Sequence, residues 1–190
     1  MEFLTDSTHQ YQWQQVKQTV ENCLWTAFKE KWHRSLNREG AIRGEGEYGG
    51  NKLQTYWIFK QQFEVEQYVK IPMPIKHRKA LAKFRCGVAP IAIETGRYGT
   101  NRVPVHERTC LFCDNLIENE YHVLFQCSFY VEERKPLLNL LHTASPEFES
   151  LNAEEKLQTV FGNQNIDMIK ELAKTLFTCL QKRKVFLLNV

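Results

Sequence analysis

Cys110, Cys113, His122 and Cys127 stand in the pattern C-x2-C-x8-H-x4-C. Three thiolates and one imidazole are the ligand set and number that a closed, tetrahedral structural zinc site takes. Cys110 and Cys113 can share one tight turn, so that both sulfurs reach one ion. His122 and Cys127 lie five residues apart, about one and a half helical turns, which predicts an irregular turn or a junction into a helix. The competing reading is of ordinary buried thiols or disulfide halves. Cys23, Cys86 and Cys179 fit it, each standing singly in apolar or helical sequence. Three of the six cysteines within eighteen residues, beside a histidine, do not. A disulfide framework belongs to a short secreted chain with a signal peptide, and the opening Met-Glu-Phe-Leu-Thr-Asp has none. Cys86 and His106 are the only plausible substitute ligands.

Other chemistry finds little support. Glu132-Glu133 and Glu154-Glu155 are adjacent pairs, but neighbouring side chains on a helix point about 100° apart, so neither is a ready metal clamp. No Gly-x-Ser-x-Gly elbow occurs, and the cysteines with a histidine nearby are the ones assigned to the metal. The deaminase arrangement, His-x-Glu with Cys-x2-Cys, is absent, since His122 sits in Glu-Tyr-His-Val-Leu. A closed ligand set leaves no position for a reactive water. The expectation is a chain that is not an enzyme.

The elements that must position these residues read as mainly helical. A chain of 190 residues with 43% apolar content suits one domain, or a small domain with a helical extension. From about Thr8 to Asn37, Trp13, Val16, Val20, Cys23, Leu24, Ala27, Phe28 and Trp32 recur at helical steps, which predicts a long helix with one core-facing stripe. Five glycines between Gly40 and Gly50 predict a loop rather than a phosphate cradle, because no Gly-Lys-Ser/Thr ends it. Lys52 to Lys70 is rich in aromatics with a period ambiguous between helix and strand, read here as helix. Pro72 and Pro74 end it. No run of about 18 apolar residues occurs, so no membrane span is expected, and the cysteine use suits a reducing interior, cytoplasm or nucleus.

The charge is local. The chain carries +3, yet the stretch from Lys76 to Arg102 alone carries +6, from Lys76, Arg78, Lys79, Lys83, Arg85, Arg97 and Arg102 against Glu94. As a helix over 75–87 it places Leu81, Phe84 and Val88 on one face, Lys76, Lys79 and Lys83 on another, and Arg78 with Arg85 on a third. An apolar ridge flanked by cations can dock on a core and offer its charges to phosphate, although charged helix faces are usually only solvated. Past Cys127 the sequence turns helical again. Ser128 is positioned to cap a helix, Pro136 to bend or restart it, and Ser145-Pro146 to open another. Asn152-Ala-Glu-Glu155 is a capping box, and Asn165 caps a final helix striped with Met168, Ile169, Leu172, Ala173, Leu176 and Leu180. Lys182, Arg183 and Lys184 sit at its far end, where cations complement the helix dipole or meet phosphate. Val185 to Leu188 either frays, docks on the core or meets a partner.

Four pieces carry a family resemblance: residues 76–85 (KHRKALAKFR), 93–98 (IETGRY), 107–113 (ERTCLFC) and 117–127 (IENEYHVLFQC). They resemble the carboxyl-terminal region of non-LTR, LINE-like retrotransposon reverse transcriptases, in which a Cys-Cys-His-Cys zinc segment follows the polymerase. The likeness runs from about Ala27 to Phe161. It implies that Cys110, Cys113, His122 and Cys127 take the metal positions, and that Arg85, Glu94, Gly96 and Arg97 match recurring residues. Glu94 and Arg97 read equally as an ion pair or with Arg97 on a phosphate. The chain departs from a polymerase in lacking paired palm aspartates: Asp6, Asp114 and Asp167 each stand alone.

The expected molecule is therefore a mainly α protein, a helical domain with a small zinc-stapled, loop-rich knuckle. Residues 1–74 would hold the long helix, glycine-rich loop and aromatic segment, and residues 75–190 the basic segment, knuckle and last helices, packed together. Zinc is structural, and the partner is RNA or DNA gripped without sequence preference through Lys76, Arg78, Lys79, Lys83, Arg85, Arg97 and Arg102. The alternative is a protein-interaction scaffold, domesticated or fragmentary, that meets its partner through the amino- or carboxyl-terminal helix.

Overall fold

The computed structural model describes residues 6–36, 54–60, 62–98 and 102–189. The expected glycine loop lies outside them. Two compact units are present, Met1–Ile42 and Arg43–Val190.

The first unit contributes α1 (Asp6–Leu36), the long helix the sequence predicts. Its stripe is not the buried face expected of it: Trp13 is 70% exposed and Leu24 66%, with Val16, Val20 and Phe28 also exposed. Periodicity establishes that a helix has an apolar face, and burial needs a second surface against it.

The second unit is built from α2 (Gln54–Phe59), α3 (Gln67–Lys70), α4 (Ile75–Arg85), α5 (Ala92–Thr95), α6 (Val131–Ala144), α7 (Ala153–Phe161) and α8 (Ile166–Leu188). The described residues contain no strand, only an isolated antiparallel bridge between Thr109 and Ile117. α8 is the central element, packed on α4 and α6, while α2 packs on α7. The aromatic segment thus belongs with the carboxyl-terminal body, and Phe59 stacks on Phe161 at 5.3 Å. Leu81 and Phe84 of α4, Leu137 and Leu141 of α6, and Leu172 and Leu176 of α8 are closed to solvent. Each such side chain contributes about 2 kcal/mol of apolar burial.

Capping follows the sequence in the last two helices. Asn152 and Glu155 form a reciprocal capping box on α7, and Asn165 Oδ1 accepts from the Asp167 and Met168 N–H groups of α8. Elsewhere it does not. Ser128 opens a 3-10 turn over Ser128–Tyr130 without capping it, and α6 runs through Pro136 unbroken. After Ser145-Pro146 comes only a 3-10 turn, Phe148–Ser150.

α4 ends earlier than residue 87. Gly87 adopts φ 60°, a left-handed conformation that glycine takes without a Cβ penalty. Val88 N–H then donates to Lys83 O at 2.9 Å and Gly87 N–H to Phe84 O at 3.2 Å, a Schellman stop. That turn swings Val88 off the face of Leu81 and Phe84, and it is exposed. No helix among the described residues is long and apolar enough to cross a membrane.

Candidate metal centre and basic face

Residues 108–118 fold back on themselves to present Cys110 and Cys113. Glu118 N–H donates to Arg108 O at 2.9 Å and Cys110 N–H to Leu116 O at 2.7 Å, while Asn115 turns the chain at φ 54°. Phe112 N–H donates to Cys110 Sγ at 3.4 Å, fixing the first sulfur from within the turn.

The second ligand pair lies on a π-helical turn, His122–Gln126. Cys127 N–H donates to His122 O at 2.8 Å across five residues. This one widened turn brings two residues of awkward helical spacing to the same side, as the sequence required of an irregular segment. Asn119 Oδ1 accepts the His122 N–H at 2.8 Å and starts it.

Together the four side chains form a cluster whose donor atoms all lie within 4.8 Å of one another. Cys127 Sγ is 3.7 Å from both Cys110 Sγ and Cys113 Sγ. A tetrahedral ion with arms of about 2.3 Å holds its sulfurs about 3.8 Å apart, so the spacing fits zinc. Both ring nitrogens of His122 are buried without a well-formed hydrogen bond, so one is open to ligate an ion and burial leaves it in need of a partner. Burial holds the His122 pKa below its ordinary value, against a weaker upward pull from the Gln126 side chain, so the ring is neutral and able to ligate. Burial pushes the Cys127 thiol up to about 12 and raises Cys110. Burial acts upward on Cys113, but hydrogen bonds with Ser128, Cys127 and Cys110 together outweigh it and bring that thiol down. The four residues can hold a metal ion.

The knuckle docks on the end of α8. Phe112 stacks on Phe129 at 3.8 Å and 8°, and Phe186 meets both rings edge-on. Lys182 Nζ donates to Phe129 O at 2.7 Å and pairs with Glu133 at 3.0 Å. Arg183 pairs with Glu118 inside the body. Two cations of the basic triplet are thus internal ties, Lys184 alone is exposed, and Val185 to Leu188 continue α8.

The seven basic residues expected at a phosphate face divide. Lys76, Lys79, Lys83 and Arg102 are exposed. Arg78 is half-buried and donates to Ile71 O at 2.7 Å. Arg85 is not available: its side chain is 7% exposed, 2.5 Å from Glu66, bonded to Phe161 O and packed 4.1 Å over the Phe59 ring. Of the two readings of Arg97, the structure contains the ion pair, with Nε 3.0 Å from Glu94. Tyr98 donates to the other Glu94 oxygen at 2.8 Å. Arg85 is thus buried and tied inside the body, while Arg97 is half-buried and paired with Glu94.

Sequence reasoning did not find Arg108, which is 2% exposed and donates to Ile93 O and Val103 O, both at 2.9 Å. Its stem fills the space beside Gly96, where an added Cβ would sit 2.9 Å from Arg108 Cγ and Cδ. Glycine at 96 is the imprint of that buried arginine. Glu118 and Glu120 were likewise missed, and burial pushes both carboxyls up. Charged side chains give no signal of burial in a sequence, since they are exposed by default.

Cys86, weighed as a substitute ligand, caps the end of α4 and is exposed. His106 is exposed beside Glu107. Neither belongs to the cluster. Comparison with known proteins finds no family model, no curated protein and no solved structure that matches the chain.

Proposed function

We propose that this chain is a non-catalytic, zinc-stapled nucleic-acid-binding module, resembling the region after the polymerase in LINE-like reverse transcriptases that grips template RNA or target DNA. Cys110, Cys113, His122 and Cys127 hold a structural zinc ion. A closed set of four protein ligands leaves the ion no catalytic position. Its work is to hold a loop-rich knuckle that buries little core of its own, for which apparent binding energies of about 10–16 kcal/mol are ample.

The observation that carries the nucleic-acid reading is a row of exposed lysines. Lys76, Lys79 and Lys83 lie at i, i+3 and i+7 on α4, and Lys184 of α8 faces them across a groove whose lining includes no carboxylate. Such a row neutralises phosphates in sequence-independent fashion and makes binding fall with salt. The direct test is binding of the metal-loaded chain to single-stranded RNA, single-stranded DNA and duplex DNA across a salt series, with zinc quantified on the same sample. One equivalent of zinc with salt-steep binding supports the module. Absence of binding at low salt overturns it.

A second reading has one specific observation behind it. Trp13, Val16, Val20, Cys23 and Ala27 advance along α1 by steps of three and four, the spacing of a coiled-coil seam, with the first three exposed. On this reading α1 pairs with a second copy, and light scattering of a Val20→Glu variant against the parent chain tests it. A plain monomer in both removes the reading.

A further inference from the structure

The groove between α4 and α8 is more than a row of charges. It encloses about 460 Å³, floored by Ala80, Pro90, Phe177 and Leu180 and rimmed by Lys76, Lys79, Lys83 and Lys184. The Phe177 ring is half-buried in this floor, with the Lys76 ammonium 4.9 Å from its centroid and the His77 ring at 5.1 Å. At the open end Leu187 and Leu188 remain 48% and 74% exposed.

Apolar floor and cationic rim together select the occupant. Duplex nucleic acid offers its phosphates and keeps its base faces stacked inside, so it would use the rim and leave the floor empty. A single strand offers both, with phosphates for lysines and unstacked bases for an aromatic or aliphatic surface. From Lys76 to Lys83 the helix rises about 10.5 Å, so the lysines line a length of backbone rather than one phosphate. An acidic amphipathic helix also matches the charge, but with side chains it is about 10–12 Å across. It also needs about 800 Å² of contact per partner, whereas this cavity has the size of a site for a few rings.

Resting on the nucleic-acid reading above, we infer that the α4–α8 groove is a single-strand site, in which bases lie over Phe177 and Leu180, the Lys76 ammonium giving up its place over the Phe177 ring to join Lys79, Lys83 and Lys184 on the flanking phosphates. α8 couples this groove to the knuckle, because Lys182 and Arg183, which anchor the knuckle, immediately precede Lys184 on the same helix.

The test measures anisotropy of the zinc-loaded full chain with three labelled probes at one low salt concentration: an oligothymidylate, an abasic strand of equal length, and a duplex. The thymidylate is expected to bind about tenfold tighter than the abasic strand, and Phe177→Ala to erase that difference, since one stacked base is worth about 1–3 kcal/mol. Leu188→Ser, an uncharged change at an exposed position on the apolar lining of the same groove, is expected to narrow that difference without disturbing the core. Equal affinity for thymidylate and abasic strand overturns the single-strand site and leaves phosphate binding standing. No binding of any probe overturns the nucleic-acid reading itself. An acidic amphipathic peptide that displaces the thymidylate at lower concentration than unlabelled strand assigns the groove to a protein and overturns the inference.

Discussion

Glu118 and Arg183 form an ion pair sealed inside the body, with the glutamate side chain closed to solvent. The other Glu118 oxygen accepts the Ala92 N–H at 2.7 Å. One carboxylate thereby joins the knuckle, the start of α5 and the last turns of α8. Glu118→Ala strands a buried guanidinium and a buried N–H, and breaking such a pair from one side costs about 3–5 kcal/mol. Urea denaturation should show a loss of that order, and a loss within about 0.5 kcal/mol, as for an ordinary surface site, would contradict the role.

Metal removal should act locally first. The Phe112–Phe129 stack sits between the ligand-bearing turns and Phe186, whereas α4 and α6 also pack on α8 through buried side chains that are not ligands, such as Leu81, Leu137 and Leu176. Chelation is expected to collapse the near-ultraviolet circular dichroism of the packed aromatics while most far-ultraviolet helical signal remains. Loss of both together would mean that the zinc supports the whole body.

Metal affinity should rise with pH. Burial lifts the Cys127 thiol to about 12 and raises Cys110, so in the metal-free protein these thiols are protonated at neutral pH. Binding must expel their protons, and log affinity should climb by about two units per pH unit, one for each of these two thiols. Acid therefore releases the metal. A flat profile between pH 6 and 8, where the Cys110 and Cys127 thiols should still lose protons on binding, would contradict thiolate ligation.

Arg85 separates stability from binding. Its guanidinium joins Glu66, itself 3.0 Å from Lys60, to the end of α7 at Phe161 O. Arg85→Ala should cost about 3 kcal/mol in unfolding free energy and leave the salt dependence of nucleic-acid binding unchanged. A flattened salt dependence with stability intact would return Arg85 to the phosphate face.

What the sequence made legible was local. The ligand set is legible because four donors fall within eighteen residues, and the caps of α7 and α8 because Asn152, Glu155 and Asn165 act within their own first turns. The ties that set the site in place are long-range. Arg183 meets Glu118 from 65 residues away and Arg85 meets Phe161 O from 76, and nothing in a charged residue's neighbours announces such a partner. Val88 failed for a related reason: helical periodicity carries its apolar face forward, but Gly87 had already ended the helix.

The most direct measurement of the central claim is the slope of log affinity against log salt for single-stranded nucleic acid, comparing the zinc-loaded chain with a Lys76→Ala, Lys79→Ala, Lys83→Ala variant. Removing three phosphate contacts from a single strand should lower the slope by about two units, at about 0.7 per contact, with zinc content unchanged. An unchanged slope in a folded, zinc-loaded variant would contradict α4 as the nucleic-acid face.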